Sequence, residues 1–374
     1  MNAKNLTAAL LLALTTSCSM EAQTNYTLTF PVGPGQDKTM AYLSTWDTVE
    51  KADSAVVTDG VVKFTGHVDA PYAAFIVVGG QRGPLVFIEP GDITVSDDGQ
   101  PSGTPLNEAM QADRRLMADL AANYKKLDLN DSLYARKAEA ILAQYDSIPA
   151  KSYAANRDNA YGLYMYVQNA SEKSLSELQN DINANPMLGR SGQIKGLLNL
   201  KTAQAATGPG TRYKDFTVQW GDSVQALSSY IKPGRYTLVD YWASWCGPCV
   251  AQLKVLKELY GRFHDKGLDV VGVAVWDKPD DTLAAIKSHE LPWPCIVDAQ
   301  TIPTDLYGIQ GIPCIMLIGP DGVIIARDKQ GRELIEAVEK AMADYEAPAE
   351  VALTPAAPGA PAAPHENADT VAAF

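Results

Sequence analysis

Positive charge is scarce in this chain. Against 44 aspartates and glutamates stand 31 lysines and arginines, and the formal net charge is −13. So acidic a protein has no general attraction for nucleic acid or for an anionic membrane surface, and neither is expected as a charge-driven partner. Long apolar runs are missing too. The run over residues 6–14 is too short for the roughly 20 residues a helix needs to cross a bilayer. Cysteine is sparse, with five in all, at positions 18, 246, 249, 295 and 314. Structural zinc sites usually bring two closely spaced ligand pairs, but Cys295 and Cys314 stand nineteen positions apart and make no second knuckle. No metal and no cofactor is expected.

What the sequence does contain is one C-x-x-C, Cys246-Gly247-Pro248-Cys249, at a change of periodicity. Before it, residues 236–241 are rich in β-branched and aromatic side chains and predict a strand. After it, Val250, Leu253, Leu256, Leu259 and Phe263 recur at helical spacing. The cysteines therefore fall where a strand becomes a helix. Free N–H groups and the positive end of the helix dipole favour an anion there, and a thiolate is the anion that attacks disulfides. Cys246, at the mouth of the turn, is the expected nucleophile. Cys249, one helical turn on, is the expected resolving thiol.

The run from Leu238 to Cys249 (Leu-Val-Asp-Tyr-Trp-Ala-Ser-Trp-Cys-Gly-Pro-Cys) resembles the active-site strand and turn of thioredoxins. That resemblance implies a thioredoxin fold, with a mixed central sheet and helices on both faces, over residues 210–345. The patterning agrees, in the order β-α-β-α-β-β-α: helices over 280–290 and 332–345, strands over 270–275, 312–318 and 323–327, and Asp321-Gly322 as the turn between the last two strands. Residues 213–218 and 223–231 are expected to form an extra strand and short connection ahead of this core. The resemblance also makes Asp240, six positions before Cys246, the buried acid of the family. Its apolar neighbours Val239 and Tyr241 favour burial, which raises a carboxyl pKa and suits proton exchange with the resolving thiol. Gly311-Ile312-Pro313 matches the loop whose proline is cis and faces the cysteines. Trp245, Gly247, Pro248, Ile312 and Pro313 are then the implied client-binding residues, with the backbone of Ile312 pairing with the substrate strand.

Residues 308–322, with Leu291-Pro292-Trp293-Pro294 upstream, resemble exported thiol-disulfide oxidoreductases related to cytochrome c maturation proteins. Two positions depart from those relatives: Gln252 and Lys254 stand where an acid and a proline are common, and Cys314 stands where threonine is usual. The position three before Cys246 is Ala243, so the Thr-x-x motif that usually precedes the attacking cysteine of peroxiredoxins is absent.

The remaining segments frame this module. Residues 1–18 carry Lys4, the short apolar run and Thr15-Thr16-Ser17-Cys18, and read as an export signal. The end of that signal resembles a bacterial lipoprotein cleavage site, which makes Cys18 the expected lipidation site. Residues 25–100 alternate as short strands over 26–30, 40–43, 55–57, 61–64, 72–78, 85–88 and 93–95. Asp59-Gly60 between two of them signals a hairpin. This stretch resembles a small β domain found ahead of thioredoxin modules in exported lipoproteins, and its lone His67 and Glu89 read as structural. Residues 104–207 predict a helical connecting region in which Tyr153, Tyr161, Tyr164 and Tyr166 pack as core. Gly208-Pro209-Gly210 marks its end. Residues 346–374 reduce to Ala and Pro with few large apolar side chains, and are expected to be disordered.

The function expected is reduction of disulfides in exported proteins at the periplasmic side of the cell envelope. The chain would be anchored to a membrane by lipid and re-reduced by a membrane electron donor. A disulfide oxidase or isomerase is the nearest alternative. A surface-anchored binding protein with an accessory redox module is the alternative from another class.

Overall fold

The computed structural model describes residues 25–343 and 345. The expected export signal with Cys18 and the expected disordered tail lie outside the described residues. The described chain forms two compact units. One comprises residues up to 173 and 180–195, the other 174–179 and the residues from 196 onward.

The first unit begins with eight strands: β1 (Tyr26–Pro31), β2 (Met40–Thr45), β3 (Lys51–Val56), β4 (Val61–Gly66), β5 (Tyr72–Val78), β6 (Gln81–Ile88), β7 (Gly91–Val95) and β8 (Pro101–Ser102). They form two four-stranded sheets, ordered β4-β1-β7-β8 and β3-β2-β5-β6. Period-two alternation turns Leu28, Leu43, Phe64, Ile76, Ile88 and Ile93 into a shared core. The Asp59-Gly60 turn is present, with φ of 53° and 73° and a single bridge from Thr58 to Val61. It does not make the expected hairpin, because β3 pairs with β2 while β4 pairs with β1 in the other sheet. Turn chemistry sets the local reversal, but sheet membership follows the wider ladder.

Five helices follow: α1 (Pro105–Lys125), α2 (Tyr134–Ala155), α3 (Ala160–Ala170), α4 (Leu175–Ala184) and α5 (Gly192–Ala205). Phe87, Met110, Ile148, Tyr161 and Met165 share a second core. The buried Glu89 is structural: its carboxylate accepts the N–H groups of Leu106 at 2.7 Å and Asn107 at 3.3 Å, capping α1. The tyrosines pack as expected, Tyr161 edge-on to Phe87 at 5.4 Å and Tyr153 against Tyr166 at 5.0 Å between ring centres.

The second unit contains β9 (Thr217–Trp220), β10 (Ser223–Ala226), β11 (Tyr236–Trp242), α6 (Gly247–Phe263), β12 (Leu268–Ala274), α7 (Pro279–Ser288), β13 (Cys295–Ile296), α8 (Ile302–Tyr307), β14 (Cys314–Ile318), β15 (Ile324–Arg327) and α9 (Gly331–Met342). The five-stranded sheet runs β13-β12-β11-β14-β15. It is mixed, with β11 parallel to β12 and antiparallel to β14. On one face Leu238 meets Leu253 and Leu256 of α6 and Leu334 and Val338 of α9. On the other, Val239 and Tyr241 meet Val273, Cys314, Leu227 and Tyr307 of α8. This is the thioredoxin order, with β13 and α8 inserted and a β9–β10 hairpin in front. The strand expected over 213–218 begins at Thr217. At the start of β11, the Arg235 guanidinium holds the Asp269 carboxylate through Nε at 2.8 Å and a terminal nitrogen at 2.9 Å. Among the described residues, no helix is long and apolar enough to cross a membrane.

Candidate active site

The strand β11 is buried along almost its whole length, because it is the middle of the sheet and its side chains feed both cores. It delivers the chain into a tight turn, and α6 starts at Gly247 with Pro248 in its first turn, where a missing N–H costs nothing. Cys246 is the N-cap. Its sulfur accepts the backbone N–H of Cys249 at 3.2 Å, the place a serine or aspartate oxygen takes at ordinary helix starts. A charged sulfur there faces the free N–H groups and the positive end of the helix dipole, which stabilise it.

Cys246 and Cys249 are joined in a disulfide, with Cα atoms 5.2 Å apart. Both are buried, and Trp242, Ala243, Ala285 and the partly buried Ile312 pack around them. The Ile312–Pro313 bond is cis, and the Ile312 carbonyl oxygen lies 3.7 Å from the Cys246 sulfur. Trp245 is 61% exposed beside the pair. The structure thus brings Cys246, Cys249, Trp245, Gly247, Pro248, Ile312 and Pro313 to one place.

Asp240 lies deeper. It is 1% exposed, between Gly272 of β12 and Ile315 of β14 in the ladder. Neither carboxylate oxygen has a hydrogen-bond partner, so none links it to either sulfur in the disulfide form. Burial alone pushes its carboxyl from an ordinary 3.8 to about 7. A carboxyl poised there can exchange a proton near neutral pH.

The two surplus cysteines are free thiols and belong to opposite faces of the sheet. Cys295 packs with Leu238 and Ile315, Cys314 with Tyr241 and Val273. Burial, and secondarily the Asp240 charge, pushes the Cys295 thiol up to about 12. Burial first, then the charge of Asp328, raises Cys314. Both stay protonated at neutral pH, so neither is a nucleophile there.

Sequence reasoning missed the partners that hold the turn. Asp277, buried just after β12, accepts from the Ser244 backbone N–H at 2.6 Å and the Ser244 hydroxyl at 3.0 Å. Gln252, at the position where relatives often carry an acid, accepts the Gly331 N–H at 3.0 Å. Gln330 donates to the Pro313 carbonyl at 3.3 Å. An acid directly after an apolar strand and before a proline-led helix signals a cap, but its reach back to residue 244 is visible only in the fold.

Strand order, cis-proline loop and N-capping cysteine together define a thioredoxin-like domain. Residues 209–327 match the AhpC/TSA family, and residues 26–110 match the Domain of unknown function (DUF4369). Over 116 residues the chain is 30% identical to the thiol-disulfide oxidoreductase ResA of Oceanobacillus iheyensis, which covers 31% of this chain and 59% of that one. Over 105 residues it is 24% identical to ResA of Bacillus cereus (28% of this chain, 61% of that one). The chain therefore spans about three-fifths of the length of these relatives. Among solved structures, it is similar to the thioredoxin domain of a thiol-disulfide oxidoreductase from Bacteroides vulgatus, at 28% identity and a TM-score of 0.32, covering 36% of this chain and 96% of that domain.

Proposed function

We propose that this protein is a thiol-disulfide oxidoreductase that reduces disulfides of exported proteins. The observation that carries this reading is Cys246 as the N-cap of α6, its sulfur receiving the Cys249 N–H at 3.2 Å and lying 3.7 Å from the Ile312 carbonyl. In the dithiol form, the Cys246 thiolate attacks one sulfur of a client disulfide. That bond breaks, a mixed disulfide forms and one client thiolate leaves. Asp240 takes the proton of Cys249, whose sulfur attacks Cys246, releases the second client thiol and closes the Cys246–Cys249 disulfide. Two electrons pass to the client, and a donor must restore the dithiol. A membrane electron carrier suits that task. Trp245, Gly247, Pro248 and Pro313 form the surface beside the sulfurs, and Ile312 offers its backbone to an extended client segment.

Export and lipidation at Cys18 complete the proposal, with the enzyme on the periplasmic side of the envelope. Cys18→Ala should release the protein from membranes or leave it unprocessed. Recovery of the unaltered protein from the cytoplasm alone would overturn this part.

The test of the chemistry is a pair of variants. Cys246→Ser should abolish reduction of insulin disulfides, and Cys249→Ser should accumulate mixed disulfides that mass spectrometry can identify. Equal rates of alkylation at the two cysteines of the reduced protein, or no trapped clients in Cys249→Ser, would count decisively against the assignment.

A further inference from the structure

Between β12 and α7 the chain makes a loop over residues 275–278, whose two middle residues, Trp276 and Asp277, bond to the active turn. The carboxylate of Asp277, which is 6% exposed, receives four donors. The Ser244 backbone N–H at 2.6 Å and the Thr282 hydroxyl at 3.0 Å meet one oxygen. The Ser244 hydroxyl at 3.0 Å and the Lys278 N–H at 2.9 Å meet the other. All four contacts are accepted and none is donated, which is the pattern of a carboxylate using both oxygens. One residue earlier, the Trp276 carbonyl accepts the indole N–H of the exposed Trp245 at 2.9 Å. Trp276 has φ of 53°, in the left-handed region that a bulky side chain rarely enters. Gln300 ties the same loop down by donating to the Asp277 carbonyl at 2.7 Å. An unusual backbone, held on several sides, thus presents one carboxylate and one carbonyl to the two residues that precede Cys246.

We propose that Asp277 is a positioning residue for the reaction: it fixes the Ser244-Trp245 turn, and its charge keeps Cys246 a weaker acid than the start of α6 alone would make it. The inference rests on reading Cys246 as the attacking thiol. Two influences then oppose each other at that sulfur. The Cys249 N–H and the helix dipole favour the thiolate, while the buried negative charge of Asp277, bonded to Ser244 two residues before Cys246, disfavours it. Other titratable groups about the turn include Asp240 on β11, Cys249 on α6 and the half-buried Asp298, whose carboxylate accepts from Gln300 at 2.6 Å. Lys278, Asp280 and Asp281 beside the loop are exposed, where water and salt screen them. Asp277 is the one of these acids that is both buried and bonded directly to the turn.

The experiment measures the pH dependence of Cys246 alkylation by iodoacetamide in the reduced, full-length protein, read by mass spectrometry. Asp277→Asn keeps the side-chain shape and removes the charge, with its amide nitrogen replacing one of the two accepting oxygens. Its midpoint should fall by about half to one pH unit, or about three- to tenfold more thiolate on the acid side of the midpoint. Ser244→Ala keeps the charge and removes only the hydroxyl contact, so its midpoint should stay with the unaltered protein. Asp277→Ser is prepared alongside and should shift like Asp277→Asn. An unchanged or raised midpoint in the Asp277 variants overturns the inference. So does an equal shift in Ser244→Ala, which would trace the effect to geometry. Loss of the native near-ultraviolet spectrum in both Asp277 variants would make Asp277 a plain fold determinant and also overturn it. If Cys246 of the unaltered protein is not the preferred alkylation site at all, the functional reading fails first, and that result is distinct from the others.

Discussion

The sulfur of Cys295 lies 2.7 Å from the point where a Cβ on Gly272 would stand, and the indole nitrogen of Trp242 lies 3.0 Å from the same point. Gly272 sits between Asp240 and Cys295 in the ladder, so the missing side chain is what lets the row beneath the active turn close. Gly272→Ala should destabilise the second unit by about 1–3 kcal/mol through overpacking. Cys295→Ala in the same chain should recover part of that loss. Urea unfolding of the two single variants and the double variant checks it, and strict additivity would refute the contact.

Asp240 carries the pH dependence. Its folded pKa, about 7, lies above an unfolded value of about 3.9. The folded state therefore holds a proton that the unfolded state has lost between those values. Stability should fall as pH rises from about 4 to about 7 and level off above, with a total on the order of 4 kcal/mol. Asp240→Asn should remove this slope and be the more stable protein at pH 8, while resolution of the mixed disulfide slows. Parallel pH-stability curves for the two proteins would contradict the assignment.

Cys295 and Cys314 should be spectators. In the folded, reduced protein, a brief iodoacetamide pulse at pH 7 should label Cys246 and leave both unmodified, because burial holds their thiols protonated. Cys314→Thr should keep most of the turnover. Loss of most activity with the fold intact would make Cys314 a redox participant.

The Arg235–Asp269 pair tests the far end of the same strand. Among the described residues, Arg235→Ala leaves the buried carboxylate with Lys232 at 3.8 Å and His264 at 3.5 Å, and should cost on the order of 3 kcal/mol. Because Arg235 precedes β11 and the cysteines follow it, turnover per folded molecule should stay near that of the unaltered protein. A large fall in that specific rate would show the two ends of the strand to be coupled.

Much of the site was legible in order along the chain. The strand, the C-x-x-C and the helix after it are local patterns, and local patterns are set by side-chain periodicity and by what a helix start does to an anion. Asp240 was singled out by the resemblance to thioredoxins, and its apolar neighbours Val239 and Tyr241 supported burial. Tertiary structure decided what depends on strands meeting. It sent β3 and β4 to different sheets despite the Asp59-Gly60 turn between them. It put Cys295 and Cys314 on opposite faces of one sheet, a parity that sequence cannot assign without the register. It also brought Asp277 to Ser244, 33 positions away, because β11 and β12 run parallel and both end at the turn. A parallel ladder aligns the ends of distant strands, and only the folded chain reveals which ends those are.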